Sequence, residues 1–119
     1  MAHVVAYIPD LLFGSRVQAG LLADGHTVEL VGDSAAVGET LTGARVLIVD
    51  LTDDVVARVE LVESLSAAGS LAGISTLAFY SHTEAEVRAL AEGAGFDLVV
   101  PRSRMAREGA SLVAGLVGE

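Results

Sequence analysis

Residues 45–51 read RVLIVDL. Four apolar residues stand in a row, Val46, Leu47, Ile48 and Val49, three of them β-branched, and the run closes on Asp50 and Leu51. A strand with one face in water alternates apolar and polar side chains. A run that does not alternate suits a strand covered on both faces, which is the condition of parallel sheets flanked by helices. Four further runs have the same character: Val4–Ile8 (VVAYI), Thr27–Val31 (TVELV), Ile74–Tyr80 (ISTLAFY) and Asp97–Val100 (DLVV). Arg45 and Asp97 then stand at strand entrances.

Helix-period segments fill the gaps. Leu11–Asp24 places Leu12, Phe13, Val17, Leu21 and Leu22 on one side and stops at Gly25, a natural residue just past a helix end. Asp53–Ala68 carries Val55, Val56, Val59, Val62 and Leu65 at helical spacing and leaves Arg58, Glu60 and Glu63 for the other faces. Thr83 and Glu86 form a capping box ahead of a helix over Glu84–Glu92, ended by Gly93, and a last helix is expected over Met105–Val117. Asp33–Leu41, interrupted by Gly38, is a short helix or a loop. Gly14 and Gly20 lie inside the first helix, where glycine is unfavourable, and are expected to let helix approach sheet closely.

Strands alternating with helices over short connections predict right-handed crossovers and an α/β fold. The expected architecture is a (βα)5 flavodoxin-like three-layer sandwich around a five-stranded parallel sheet of order 2-1-3-4-5. With 119 residues the chain has room for one domain, spanning 1–119.

Composition removes several functions. There is no cysteine, hence no disulfide, thiolate metal site or cysteine nucleophile. All seven basic residues are arginine, so Schiff-base chemistry and a P-loop lysine are excluded. A net charge of -9 argues against nucleic acid, whose binding rests on neutralising phosphates. Nothing approaches the roughly 20 apolar residues of a membrane span, and the N-terminus lacks the basic start of a signal peptide, so a cytoplasmic chain is expected. No GxGxxG follows a strand, and no Ser/His/Asp triad can be argued from spacing.

In an open α/β sheet, ligands bind beyond the carboxyl ends of the strands, at the switch point between strands 1 and 3 for this order. The residues there are Asp10 after strand 1, and Asp50 with Thr52, Asp53 and Asp54 after strand 3. Ser81-His82 follows strand 4 and Pro101-Arg102-Ser103 follows strand 5. Two carboxylates suit Mg²⁺, which takes few protein ligands, and a hydroxyl with a guanidinium suits an anion beside it.

This layout resembles the receiver domain of two-component response regulators over nearly the whole chain. The resemblance implies Mg²⁺ held by acids after strand 1, a phosphoacceptor Asp ending strand 3, and a hydroxyl and a Lys contacting the phosphoryl group. Asp10 matches the second acid, while Pro9 stands where the first is expected. Asp50 matches the phosphoacceptor and Ser81 the strand 4 hydroxyl. Ala94–Val100 (AGFDLVV) resembles the lead into strand 5, and Arg102 falls where Lys is expected. Stand-alone atypical receiver-like proteins resemble the chain further, through Asp10-Leu11-Leu12-Phe13, Ser81-His82 and Pro101-Arg102-Ser103. The implied function is signalling by protein–protein contact, without enzymatic activity. The partner is a histidine kinase, a downstream effector or a second copy, met through helices 4 and 5 with strand 5.

Each residue also has a plainer reading. Asp10 is a natural helix N-cap, and Asp50 a turn or capping residue. Asp53 and Asp54 suit the positive N-terminus of helix 3 as solvated caps, and either could replace the missing acid. Ser81 can cap helix 4, His82 is open to a phosphodonor or metal role but is more often a surface residue without function, and His3 and His26 carry no role. Arg104 and Arg107 form a solvated or partner-facing edge with Glu108. Arg is not equivalent to Lys, being planar and forked, so Arg102 and the missing acid favour a receiver that binds partners constitutively over one switched by phosphate. The contrasting reading is a small binder or enzyme taking a nucleotide or phosphorylated metabolite at the same edge; Pro9-Asp10-Leu11-Leu12 lacks the glycines it needs. The isomer of the Val100-Pro101 bond is left open.

Overall fold

The computed structural model describes residues 2–81 and 85–118. The strands are β1 (His3–Tyr7), β2 (Thr27–Val31), β3 (Val46–Asp50), β4 (Ser75–Tyr80) and β5 (Leu98–Pro101). The helices between and after them are α1 (Leu11–Ala23), α2 (Ser34–Thr40), α3 (Val55–Ala67), α4 (Ala85–Gly93) and α5 (Arg102–Leu116). All pairings are parallel and the sheet order is β2-β1-β3-β4-β5. This is the expected flavodoxin-like architecture.

The central strand explains its own sequence. Every residue of β3 is buried. Val46 and Ile48 join Val4, Phe13, Val17, Phe79 and Met105 in the core beneath α1 and α5. Leu47 and Val49 join Val5, Val37, Val59, Val62 and Tyr80 in the core beneath α2, α3 and α4. Edge strand β2 does alternate, with Thr27 and Glu29 exposed and Val31 buried.

On α1, Asp10 is the N-cap and its Oδ1 accepts from the Phe13 N–H at 3.1 Å. Phe13, Gly14, Val17 and Leu21 form the buried stripe. Leu12 and Leu22, expected on that face, are 87% and 52% exposed. Each neighbours the stripe in sequence and is turned about 100° from its neighbour around the helix. Gly14 does bring helix to sheet: a Cβ there would lie 3.0 Å from Leu30 Cδ1 and 3.2 Å from the Ile8 carbonyl. Gly20 does not, since a Cβ there would meet nothing within 4 Å.

The segment read as short helix or loop is helix α2, capped by Asp33 through the Ala35 N–H at 2.9 Å and anchored by buried Val37. On α3 the inward stripe is Val55, Arg58, Val59 and Val62, whereas Val56 is exposed. Arg58, expected on an outer face, is only 7% exposed. Asp54 is the N-cap residue of α3 in a left-handed conformation (φ 46) and makes no side-chain cap bond; Asp53 accepts from the Asp54 N–H instead. The last helix starts at Arg102, ahead of the expected Met105, because Pro101 supplies an extended residue from which it can begin. His82 and Thr83, the latter one half of the expected capping box, lie outside the described residues.

The far edge of the sheet is tied by polar bonds. Asp97 accepts from the Thr76 N–H (2.8 Å), and its own N–H donates to Thr76 Oγ1 (3.1 Å), joining β5 to β4 at their entrances. Arg45, entering β3, donates to the Val117 carbonyl at 3.2 Å. Buried His26, given no role by its sequence, accepts from the Ala2 N–H at 3.1 Å. No cis peptide bond occurs among the described residues, Val100–Pro101 included. None of the described helices is long and apolar enough to cross a membrane.

Candidate functional site

The carboxyl ends of β1, β3, β4 and β5 carry every candidate residue, and the structure divides them into two groups. The first centres on Asp50, the last residue of β3, whose side chain is 5% exposed. Its Oδ1 accepts from the Thr52 N–H at 2.7 Å and from the Thr52 hydroxyl at 2.5 Å, a turn that aspartate forms readily. Arg58 reaches back from α3. Its Nη1 donates to the Asp50 carbonyl at 2.9 Å and lies 3.9 Å from Asp50 Oδ1, with the guanidinium 5.3 Å above the Tyr7 ring. A carboxylate out of water without a partner is costly, and a buried cation beside it offsets part of that penalty.

Sequence reasoning missed Arg58. The sequence carried a partial signal: Val55, Arg58, Val59 and Val62 follow a spacing of three, one and three, which puts Arg58 on the inner stripe if Val55 rather than Val56 faces the core. Treating every charged residue as outward-facing hid it.

The second group surrounds Arg102, the first residue of α5. Its guanidinium stacks over the Phe13 ring at 4.1 Å and lies 3.8 Å from Asp10 Oδ2. Both side chains of that pair are about half exposed, so water screens it and its contribution is small. Ser81 lines the same side, in a pocket of about 530 Å³ with Phe13, Arg16, Arg102, Ser103 and Arg107. Among the described residues no hydrogen bond or ion pair joins Ser81 or Arg102 to Asp50. Asp10 and Asp50, both expected near a metal, thus each face a different arginine.

That donor set does not suit Mg²⁺. One candidate carboxylate caps a helix beside Arg102, and the other is bonded to Thr52 beside Arg58. A divalent cation bound at either carboxylate would meet a guanidinium of like sign.

The solved structures bear on the fold. The chain superposes on a response regulator from Thermotoga maritima with a TM-score of 0.84 at 11% identity, over 100% of this chain and 99% of that one. It matches the receiver domain of the TMAO respiratory system response regulator TorR at a TM-score of 0.86 and 17% identity, covering 99% and 98% of the two chains. An atypical orphan response regulator with a phosphorylation-independent regulatory mechanism matches at 0.77 and 14%, over 98% and 95%. The fold is therefore that of response-regulator receiver domains. No protein-family model and no curated protein matches the sequence.

Proposed function

We propose that this chain, as one domain over 1–119, is a receiver-like signalling domain that acts by binding other proteins and is held in one state by its own arginine. The observation that carries the reading is Arg58, placed against the carboxyl group of Asp50 where a receiver would keep a metal ion and a phosphoryl group. Asp50, nearly buried and bonded to Thr52, serves as an anchor for the β3–α3 connection. Ser81 and Arg102, which would contact a phosphoryl group on Asp50 in a phosphate-switched receiver, belong here to the pocket beside α1 and α5. The output is contact with a kinase, an effector or a second copy in the cytoplasm, with no nucleic acid and no chemistry of its own. The receiver fold is common to both versions, and the pairing of Arg58 with Asp50 is what favours this one over the switched one.

Incubation with a small phosphodonor and Mg²⁺, followed by intact-mass measurement, tests the proposal. No phosphoryl adduct is expected on the wild type. An adduct that Asp50→Asn abolishes would establish Asp50 as a phosphoacceptor and the chain as a switched receiver. The nucleotide or metabolite reading is tested by a thermal-shift screen against nucleotides, flavins and sugar phosphates, for which no saturable rise in melting temperature is expected.

A further inference from the structure

The chain is strongly acidic, yet three of its seven arginines line one pocket. Arg16 comes from α1, Arg102 and Arg107 from α5, and Ser81 and Ser103 place two hydroxyls beside them. Among the described lining residues there is no carboxylate, and Phe13 and Ala106 supply the apolar wall. The pocket does not end there. A second depression of about 100 Å³ shares Arg16, Ala106 and Arg107 with it and continues along the seam of α1 and α5 over Gly20, Gly109 and Ala110. The small residues keep this seam open: a Cβ at Gly20 would meet no atom within 4 Å. On α1, Leu12 stands one helical turn before Arg16 and is 87% exposed.

We infer that this groove docks an acidic segment of a partner protein, with carboxylates set between Arg16, Arg102 and Arg107 and an apolar residue against Leu12 and Phe13. Guanidinium forks pair with carboxylates through two parallel hydrogen bonds, which gives such a groove direction as well as charge. The pairs that these arginines make within the chain leave them available. Arg102 meets half-exposed Asp10 at 3.8 Å, and Arg107 meets Glu108 at 3.3 Å, an acid that Arg104 also approaches. Such exposed pairs exchange readily for an incoming carboxylate. Elsewhere the surface charge of the chain repels an acidic partner, so the groove sets both the place and the orientation of docking. This face shares α5 with the surface expected from the resemblance but pairs it with α1 in place of α4 and β5.

The inference rests on the reading of the chain as a protein-binding domain and names the chemistry of the partner. The test is an amide NMR titration of the whole chain with a short synthetic peptide of glutamate and leucine, run beside its glutamine counterpart. The expected result is saturable shifts confined to residues around Ser81, Arg102, Arg107 and Arg16, weakened by added salt, and absent with the glutamine peptide. Arg16→Glu combined with Arg107→Glu is expected to weaken binding by about tenfold or more. Gly20→Leu, which fills the seam without altering charge or burying a polar group, is expected to weaken it while the chain stays folded. Equal shifts with both peptides, shifts elsewhere, or binding untouched by either variant would overturn the inference. Concentration-dependent shifts at the same residues without any peptide would overturn it too, by assigning the groove to a second copy. None of these outcomes touches Asp50, so loss of the groove would leave the reading of Asp50 and Arg58 standing.

Discussion

Asp50 and Arg58 show how one buried pair at a strand end shapes what the edge can do. With Asp50 and Arg58 at 3% and 7% exposure, removing the cation strands a carboxylate out of water. Arg58→Met is expected to cost about 3–5 kcal/mol in chemical denaturation. Asp50→Asn keeps an oxygen for Thr52 and should cost less, about 1–3 kcal/mol. The double variant should cost less than the sum of the two, because the groups are in contact; simple additivity would show that they do not act as a pair. Asp50, Asp10 and Ser81 were legible in the sequence as edge residues from strand ends alone. Their partners were not. Hydrogen bonding from Thr52 depends on a local turn, and the approach of Arg58 depends on the rotation of α3 about its axis, which the apolar pattern leaves undecided when Val55 and Val56 are both present.

At the scale of elements, the strand runs were legible because a doubly covered sheet needs apolar residues at consecutive positions. Helix faces were less so. In α1 five apolar residues compete for a stripe that Phe13, Val17 and Leu21 already fill. The two glycines of that helix make a matched prediction. Gly20→Ala should raise stability by up to about 1 kcal/mol, from helix propensity alone. Gly14→Ala should lower it by about 1 kcal/mol or more, since its Cβ would press on Leu30 and the Ile8 carbonyl. Thermal or denaturant melts of both variants check the pair, and equal signs would refute the close approach at Gly14. The left-handed Asp54 adds a second case: Asp54→Gly should stabilise α3's start by up to about 1 kcal/mol in the same assay.

Over the whole molecule, the net charge of -9 and the clustering of arginines act together. Self-repulsion of the folded chain should be screened by salt, so the melting temperature should rise on going from low to moderate ionic strength. Unchanged or falling stability would mean that the compact state does not feel its net charge. The layering of the molecule, helices on both faces of a parallel sheet of order β2-β1-β3-β4-β5, brings five strand ends to one edge, four of which carry the candidate residues. That edge is divided between a closed acidic half and an open basic one, and the account rests on the closed half. Amide NMR spectra with Mg²⁺, before and after beryllofluoride, which mimics an aspartyl phosphate, test this most directly in wild type and Asp50→Asn. The account predicts that the resonances of residue 50, Thr52 and Arg58 do not shift on adding beryllofluoride in either protein. Saturable shifts at those residues in the wild type, lost in Asp50→Asn, would contradict it and return the chain to the phosphate-switched receivers.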